Sequence, residues 1–163
     1  MLEVRIATVG DFDELLKCYV EIWDSLRKWL PSSFVDRELE SIQETERVER
    51  FKKRVESKDA IFLLAEEGNE IVGVALGTES AGVGTLGFLG VKMGRRRKGV
   101  GANLLHRFVE EAKRRKAHKV WLFTSPNLKS AINLYVKNSF IPEGFLRRHT
   151  HGLDMIIYSK FLA

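Results

Sequence analysis

Residues 86–101 read Leu86-Gly87-Phe88-Leu89-Gly90-Val91-Lys92-Met93-Gly94-Arg95-Arg96-Arg97-Lys98-Gly99-Val100-Gly101, and Leu104, Leu105, Phe108 and Ala112 follow in helical period. The first six residues are an apolar run of strand length, the middle is basic and glycine-rich, and the end lies on one face of a helix. The segment is therefore strand, basic glycine loop, helix. Glycines leave the main chain bare, so consecutive backbone N–H groups approach an anion, and a helix start adds its partial positive charge. A pyrophosphate is the natural guest of such a loop; the competing reading is a plain turn.

Two other phosphate loops compete for this region, and both fail. Gly82-x-Gly84-x-x-Gly87 has the spacing of a dinucleotide fingerprint, but that motif opens a helix and is followed about twenty residues later by an acid for the ribose. Here a strand follows, and Arg107 occupies the later region. Gly94 to Gly99 has the spacing of a nucleotide P-loop, which needs Lys and then Ser or Thr next. This chain has Val100 and Gly101. What is left is Arg96-Arg97-Lys98-Gly99-Val100-Gly101, an R-x-x-G-x-G ahead of an amphipathic helix.

Upstream, Val4 to Ala7 alternates like a short strand and Thr8-x-x-Asp11 matches a capping box. A helix is expected next, with Phe12, Leu15, Leu16, Tyr19, Ile22, Trp23 and Leu26 on one face and Pro31 as its outer limit. Cys18 falls on that stripe and reads as core rather than nucleophile. Residues 36–58 hold fourteen charges, seven of each sign, around Leu39, Ile42, Val48, Phe51 and Val55. That is a solvated helix whose stripe slips between Ile42 and Val48, where a bend or break is expected. Ala60–Ala65 and Ile71–Thr78 are strand-like and form a hairpin across residues 66–70, and Gly82-Val83-Gly84 turns the chain into Leu86–Val91. Downstream, Val120–Phe123 reads as a strand, Ser130–Lys137 as a short helix and Leu153–Phe161 as a final strand. The order β-α-α-β-β-β-α-β-α-β predicts an α/β fold of the α+β kind, a central mixed sheet flanked by helices, in a single domain over residues 1–163.

With the Leu89-Gly90-Val91 strand before it, the Arg96–Gly101 hexad resembles the acetyl-CoA-binding signature of the GCN5-related N-acetyltransferase (GNAT) superfamily. Asn127-x-x-Ser130-Ala131-Ile132-Asn133-Leu134-Tyr135-x-x-Asn138-Ser139-Phe140 is similar to the same superfamily's later motif, with Ser139 where a glycine is usual. The resemblance covers most of the chain and is weakest over residues 36–58.

The resemblance implies a mostly antiparallel sheet with a V-shaped opening between strands four and five. It also implies an N-acetyltransferase that moves acetyl from acetyl-CoA to a primary amine by direct attack through a tetrahedral intermediate. The acceptor it implies would be a protein N-terminus, a lysine or a small-molecule amine. The cosubstrate would be held by Leu89, Gly90, Val91, Arg96, Arg97, Lys98, Gly99, Val100, Gly101, Ala102, Asn127 and Ala131, with the pantetheine arm adding to the backbone of Leu89 and Val91 as a further strand. A backbone N–H at a bulge in Phe88–Val91, that of Leu89 or a neighbour, would hold the oxyanion. Tyr135 would be the general acid for the departing thiolate, since a tyrosine with a pKa of about 10 is protonated at neutral pH; its bland reading is a core aromatic. Several relatives carry a glutamate base on the fourth strand, but no acid lies between Ser80 and Val91 here. Glu79 is the nearest candidate, with Ser125 or water as others, and its bland reading is an exposed strand end. His149 and His151 lie near the last hairpin, where the family often shapes the acceptor pocket. Two histidines without further ligands nearby imply no metal.

Composition removes other classes. The 163 residues carry 27 Lys+Arg against 22 Asp+Glu, a formal charge of +5, with 44% hydrophobic residues and three prolines. This is a folding chain with a core, not a disordered one. The longest uncharged stretch, Ser80 to Val91, has twelve residues, too short for a membrane helix, so no membrane partner is expected. Glu3, Arg5, Asp11, Asp13 and Glu14 preclude a signal-peptide core, and the single cysteine precludes an internal disulfide, which predicts a cytoplasmic protein. The basic clusters Arg95–Lys98 and Lys113–Lys119 raise nucleic-acid binding as the alternative class, with an inactive CoA-binding module as a third reading. No aromatic platform interleaves with those clusters, so nucleic acid is not an expected partner. A homodimer is among the expected states.

Overall fold

The computed structural model describes residues 1–43 and 45–163. Strand β1 (Leu2–Ile6) is followed by the expected cap, in which the Thr8 N–H donates to Asp11 Oδ2 at 2.7 Å. The Asp11 carboxylate also receives Arg5 Nη1 and Nη2 at 2.8 and 2.6 Å, and Arg5 reaches Glu66 on the next strand at 2.5 Å. The Arg5 guanidinium thereby holds the Asp11 carboxyl well below the usual carboxylate range. Helix α1 (Phe12–Ser25) starts from that anchor and buries Phe12, Leu15, Cys18 and Ile22.

A charged helix with a bend or break between Ile42 and Val48 is expected over residues 36–58, and two helices cover this part of the chain, α2 (Ser32–Gln43) and α3 (Thr45–Glu56). Residue 44, within the expected bend or break, lies outside the described residues. Strands β2 (Ala60–Glu67) and β3 (Glu70–Ser80) make the expected hairpin. Strand β4 (Val83–Val91) begins three residues before the expected run, because the turn is Ala81-Gly82, both at positive φ, and Gly84 is already paired with Glu79. Then come α4 (Val100–Arg114), β5 (Lys119–Thr124) and α5 (Lys129–Lys137). A strand that the sequence pattern does not predict, β6 (Ile141–Thr150), precedes β7 (Leu153–Phe161).

The seven strands form one sheet in the order β1-β2-β3-β4-β5-β7-β6, mixed and antiparallel everywhere except at β4–β5. Its two faces carry separate cores. Leu104, Leu105 and Phe108 of α4 pack with Tyr135 of α5 on one face, and Leu15, Cys18 and Ile22 of α1 pack with Phe62 and Leu64 on the other. A third cluster, Leu30, Phe34, Val35 and Met155, seats the start of α2 on β7. No helix among the described residues is long and apolar enough to cross a membrane.

Candidate functional site

The parallel pair is where the site opens. Strands β4 and β5 are in register only over Val83–Lys119, Gly84–Val120 and Thr85–Trp121. The indole N–H of Trp121 donates to Thr85 Oγ1 at 2.9 Å and closes the apex. Beyond it the strands separate, and the edge of β4 from Leu86 to Val91 has no strand partner on the β5 side. This is the expected V. The bulge expected within Phe88–Val91 sits one residue earlier: Gly77 pairs with Leu86 and Leu76 with Phe88, which leaves Gly87 as the extra residue.

At the open end of β4 the basic loop leads into α4. Arg97 and Gly99 have φ of 64° and 82°, so the loop makes left-handed turns just before the helix. The first intrahelical bond is Asn103 N–H to Gly99 O at 3.0 Å. The N–H groups of Val100, Gly101 and Ala102 therefore have no acceptor within the helix, the condition that suits an anion. A Cβ on Gly101 would lie 3.3 Å from Leu134 of α5 and 3.7 Å from Val91 of β4, so the glycine lets the helix start approach both walls of the V. The expected groups at Leu89–Val91, Val100–Ala102 and Ala131–Tyr135 are thus brought together around one opening.

Arg96 and Asn127 are expected to be direct cosubstrate ligands, and the structure gives the side chain of each a partner inside the protein. Arg96 Nε donates to Val91 O at 3.0 Å, its Nη2 donates to Ser25 Oγ at 2.8 Å, and its guanidinium lies 5.4 Å over the Trp29 ring. Asn127 Nδ2 donates to the Trp29 carbonyl at 3.1 Å. Trp29, which the sequence did not mark, therefore links the end of β4 to the end of β5 across the mouth of the V while staying 42% exposed. Lys98 and Arg97 remain on the loop surface.

Tyr135 is only 5% exposed and packs on Phe140 and Tyr158 with ring centroids 5.9 and 6.3 Å apart. Its hydroxyl makes no hydrogen bond with the described residues. Burial raises its pKa above the ordinary tyrosine value. Glu79 is not brought to this group. Its carboxylate accepts the Gly82 N–H at 3.0 Å, it pairs with Gly84, and Leu89 lies five residues, roughly 17 Å of strand, beyond. Ser125 is buried, with its Oγ accepting the Asn127 N–H at 3.2 Å.

Over the Gly87 bulge, on the α1 face of the sheet, lies a cavity of about 480 Å³. Gly87, Phe88 and Thr85 of β4, Phe12 and Tyr19 of α1, and Phe51 and Arg54 of α3 line it. Tyr19 packs at a tilt against Phe88, ring centroids 4.5 Å apart, so the aromatic wall is continuous with the bulge. Trp23 follows at 5.7 Å from Phe88, and Phe34 meets His151 edge-on at 5.3 Å. His151 Nε2 pairs with Glu38 Oε1 at 3.0 Å, pinning the β6–β7 turn to α2, while His149 meets Phe123 edge-on at 5.4 Å. Cys18 is buried and burial pushes its thiol up to about 12, as suits a core residue. No cluster of three or more His, Cys, Asp or Glu among the described residues could hold a metal ion.

A model described as the acetyltransferase (GNAT) family matches residues 23–140. Solved structures share the fold. PaiA N-acetyltransferase from Thermoplasma acidophilum, in complex with coenzyme A, is 21% identical with a TM-score of 0.84, over 99% of each chain. Ribosomal-protein-alanine N-acetyltransferase from Brucella melitensis is 23% identical with a TM-score of 0.78, over 98% of this chain and 99% of its own. An acetyltransferase of the GNAT family from Streptococcus pneumoniae is 25% identical with a TM-score of 0.77, over the whole of both chains. No curated protein sequence matches the chain.

Proposed function

That the chain belongs to the acetyltransferase (GNAT) family is the premise from which we propose its reaction, transfer of an acetyl group from acetyl-CoA to a primary amine by direct attack. The observation that carries the proposal is the splay of β4 from β5 beside three helix-start N–H groups without a helical acceptor. An extended arm suits a strand edge, and a pyrophosphate suits a helix start. The N–H groups of Val100, Gly101 and Ala102 take the pyrophosphate, Gly99 sets the turn that aims them, and Arg97 and Lys98 supply positive charge beside them. Leu89, Gly90 and Val91 offer their main chain to the arm. Asn127 keeps its amide oxygen for the arm while its nitrogen holds Trp29. Ala131, one turn before Tyr135 on α5, leaves room on the face that meets the thioester. Arg96 contributes by fixing the loop's entry.

The amine nitrogen bonds to the carbonyl carbon, and a main-chain N–H at the bulge, that of Leu89 or its neighbour, steadies the oxyanion. As the C–S bond breaks, the Tyr135 hydroxyl passes its proton to the sulfur and is reprotonated from solvent. The proton lost by the amine leaves to water in the cavity. A path to Glu79 would run the length of the strand, so the shorter path is the one we propose. Protein N-termini, lysines and small amines all remain within this reading.

The same proposal takes residues 1–163 as one domain in the cytoplasm, where a lone buried thiol is stable. A homodimer through β6 is supported by exposed Ile141 and Phe145. Nucleic acid has weaker support, because Arg114 and Arg115 of the second basic cluster both pair with Glu111.

The test is calorimetric titration with acetyl-CoA, followed by a thiol-release assay over a panel of amines. Gly101→Asp brings a carboxylate against Leu134 and Val91 at the mouth of the V. Affinity should collapse while the circular dichroism spectrum is kept. Unchanged affinity overturns the assignment of the loop, and acetyl-CoA binding without turnover on any amine favours an inactive CoA-binding module.

A further inference from the structure

We propose that the cavity over the β4 bulge selects amines that carry a carboxylate on an apolar body; the inference rests on the acetyl-transfer reading and deepens it. At about 480 Å³ the cavity has the size of small-ligand sites, and its floor is the Gly87-Phe88 step where the reacting carbonyl would be held. The reacting nitrogen must therefore lie at that end, and the rest of the acceptor extends away from it. The walls along that path are the rings of Phe12, Phe51 and Phe88, which reward an apolar body.

Charge decides the rest. Among the described residues, the charged side chains that line the cavity are Arg50 and Arg54, and no Asp or Glu lines it. Four residues apart on α3, the two arginines share one helix face. Arg54 makes no ion pair with a described residue, so its guanidinium has charge to offer a ligand. A polyamine, an aminoglycoside or a lysine-rich tail brings further cations and would set them against the Arg54 guanidinium. An amine with a carboxylate at its far end meets a fork of N–H donors that matches carboxylate geometry.

The experiment compares kcat/KM of the full chain for 4-(2-aminoethyl)benzoate, 2-phenylethylamine and spermidine, corrected for the fraction of free amine. The first two differ only by the carboxylate at the end of the apolar body away from the amine. The benzoate should exceed 2-phenylethylamine about tenfold, with spermidine lowest. Arg54→Gln should lower the benzoate value about fivefold while leaving the 2-phenylethylamine value and the KM for acetyl-CoA unchanged, and Arg54→Lys should restore part of the loss. Equal values for the two phenyl compounds, a preference for spermidine, or an equal loss on both in Arg54→Gln would overturn the charge preference and leave acetyl transfer standing. Calorimetry in the presence of CoA separates the two readings. If no amine of the panel is acetylated, the acetyl-transfer reading falls, and binding of the benzoate without 2-phenylethylamine leaves the charge preference standing; if neither phenyl compound binds, the charge preference falls, while turnover on any other amine keeps acetyl transfer.

Discussion

Tyr135→Phe removes one oxygen from a packed site, and the structure sets what that should and should not change. The ring stays between Phe140 and Tyr158, at centroid distances of 5.9 and 6.3 Å, so its packing survives. The hydroxyl makes no hydrogen bond with a described residue, so its loss strands no partner. Stability should therefore move by less than about 1 kcal/mol, or about 2–4 °C in Tm for a chain of this length. General acid catalysis is worth about 10²–10⁴ in rate. The low end applies, because a thiolate, with a conjugate-acid pKa of about 8.5, is already a fair leaving group. The expected loss is about 10² in kcat, equivalent to about 2.7 kcal/mol of barrier.

The assay is thiol release at saturating acetyl-CoA, with calorimetry for the cosubstrate. The interaction forms as the C–S bond breaks, so kcat should fall while acetyl-CoA affinity stays within about twofold. Burial holds the Tyr135 pKa above its ordinary value, so its proton remains in place as the pH approaches 10. In the unfolded chain the same group ionises near its ordinary value of about 10. The stability it contributes is thus present below that pH and is lost as pH rises toward the folded value. Tyr135→Phe should flatten that part of the alkaline fall. Turnover at the wild-type rate makes Tyr135 a packing residue, and loss of acetyl-CoA binding makes its role structural; either result refutes the reasoning.

Arg96→Gln removes the contacts to Ser25 and the Trp29 ring, and should weaken acetyl-CoA about tenfold and change tryptophan emission, whereas Lys98→Gln should weaken binding without the spectral change. Asp11→Asn gives up the Arg5 pair and should cost about 1–3 kcal/mol in urea unfolding at pH 7. Because Arg5 lowers the Asp11 pKa in the folded state, that contribution is present above the ordinary carboxylate value and is lost as pH falls through the folded one. The gap between variant and wild type should therefore close in acid, and a constant gap would argue against the pair. Glu79→Gln should leave the pH-rate profile superimposable on wild type; a fall confined to pH below the amine's own pKa would restore Glu79 as the base.

The elements legible in the sequence were those whose signals are local. Thr8 and Asp11 lie three residues apart, and the strand, loop and helix of residues 86–112 are written contiguously. β6 escaped because an edge strand with one solvated side does not need apolar alternation. Pro142, Gly144 and two register breaks against β7 hide it further. Glu79 looked close to the fourth strand because it is close in sequence. Along an antiparallel partner that proximity ends at the turn it caps. The bulge fell at Gly87 because the extra residue is set by the register against Leu76 and Gly77, which the sequence of β4 alone does not contain.

The basic loop turns Arg96 inward. A sequence displays Arg96 as a charge among charges, and a phosphate is the obvious partner. Its direction comes from Ser25, 71 residues away, and from Trp29, whose carbonyl is held by Asn127 across 98 residues. Two residues of the cosubstrate motifs thus hold the connection between α1 and α2. Helix α1 also supplies Phe12 and Tyr19 to the cavity wall. Helix α1 is therefore fixed at its C-terminal end by Arg96 and lines the cavity with residues along its length. A change at Arg96 should consequently register in the KM of the amine as well as that of acetyl-CoA, whereas a change at the helix-start N–H groups should register in acetyl-CoA alone.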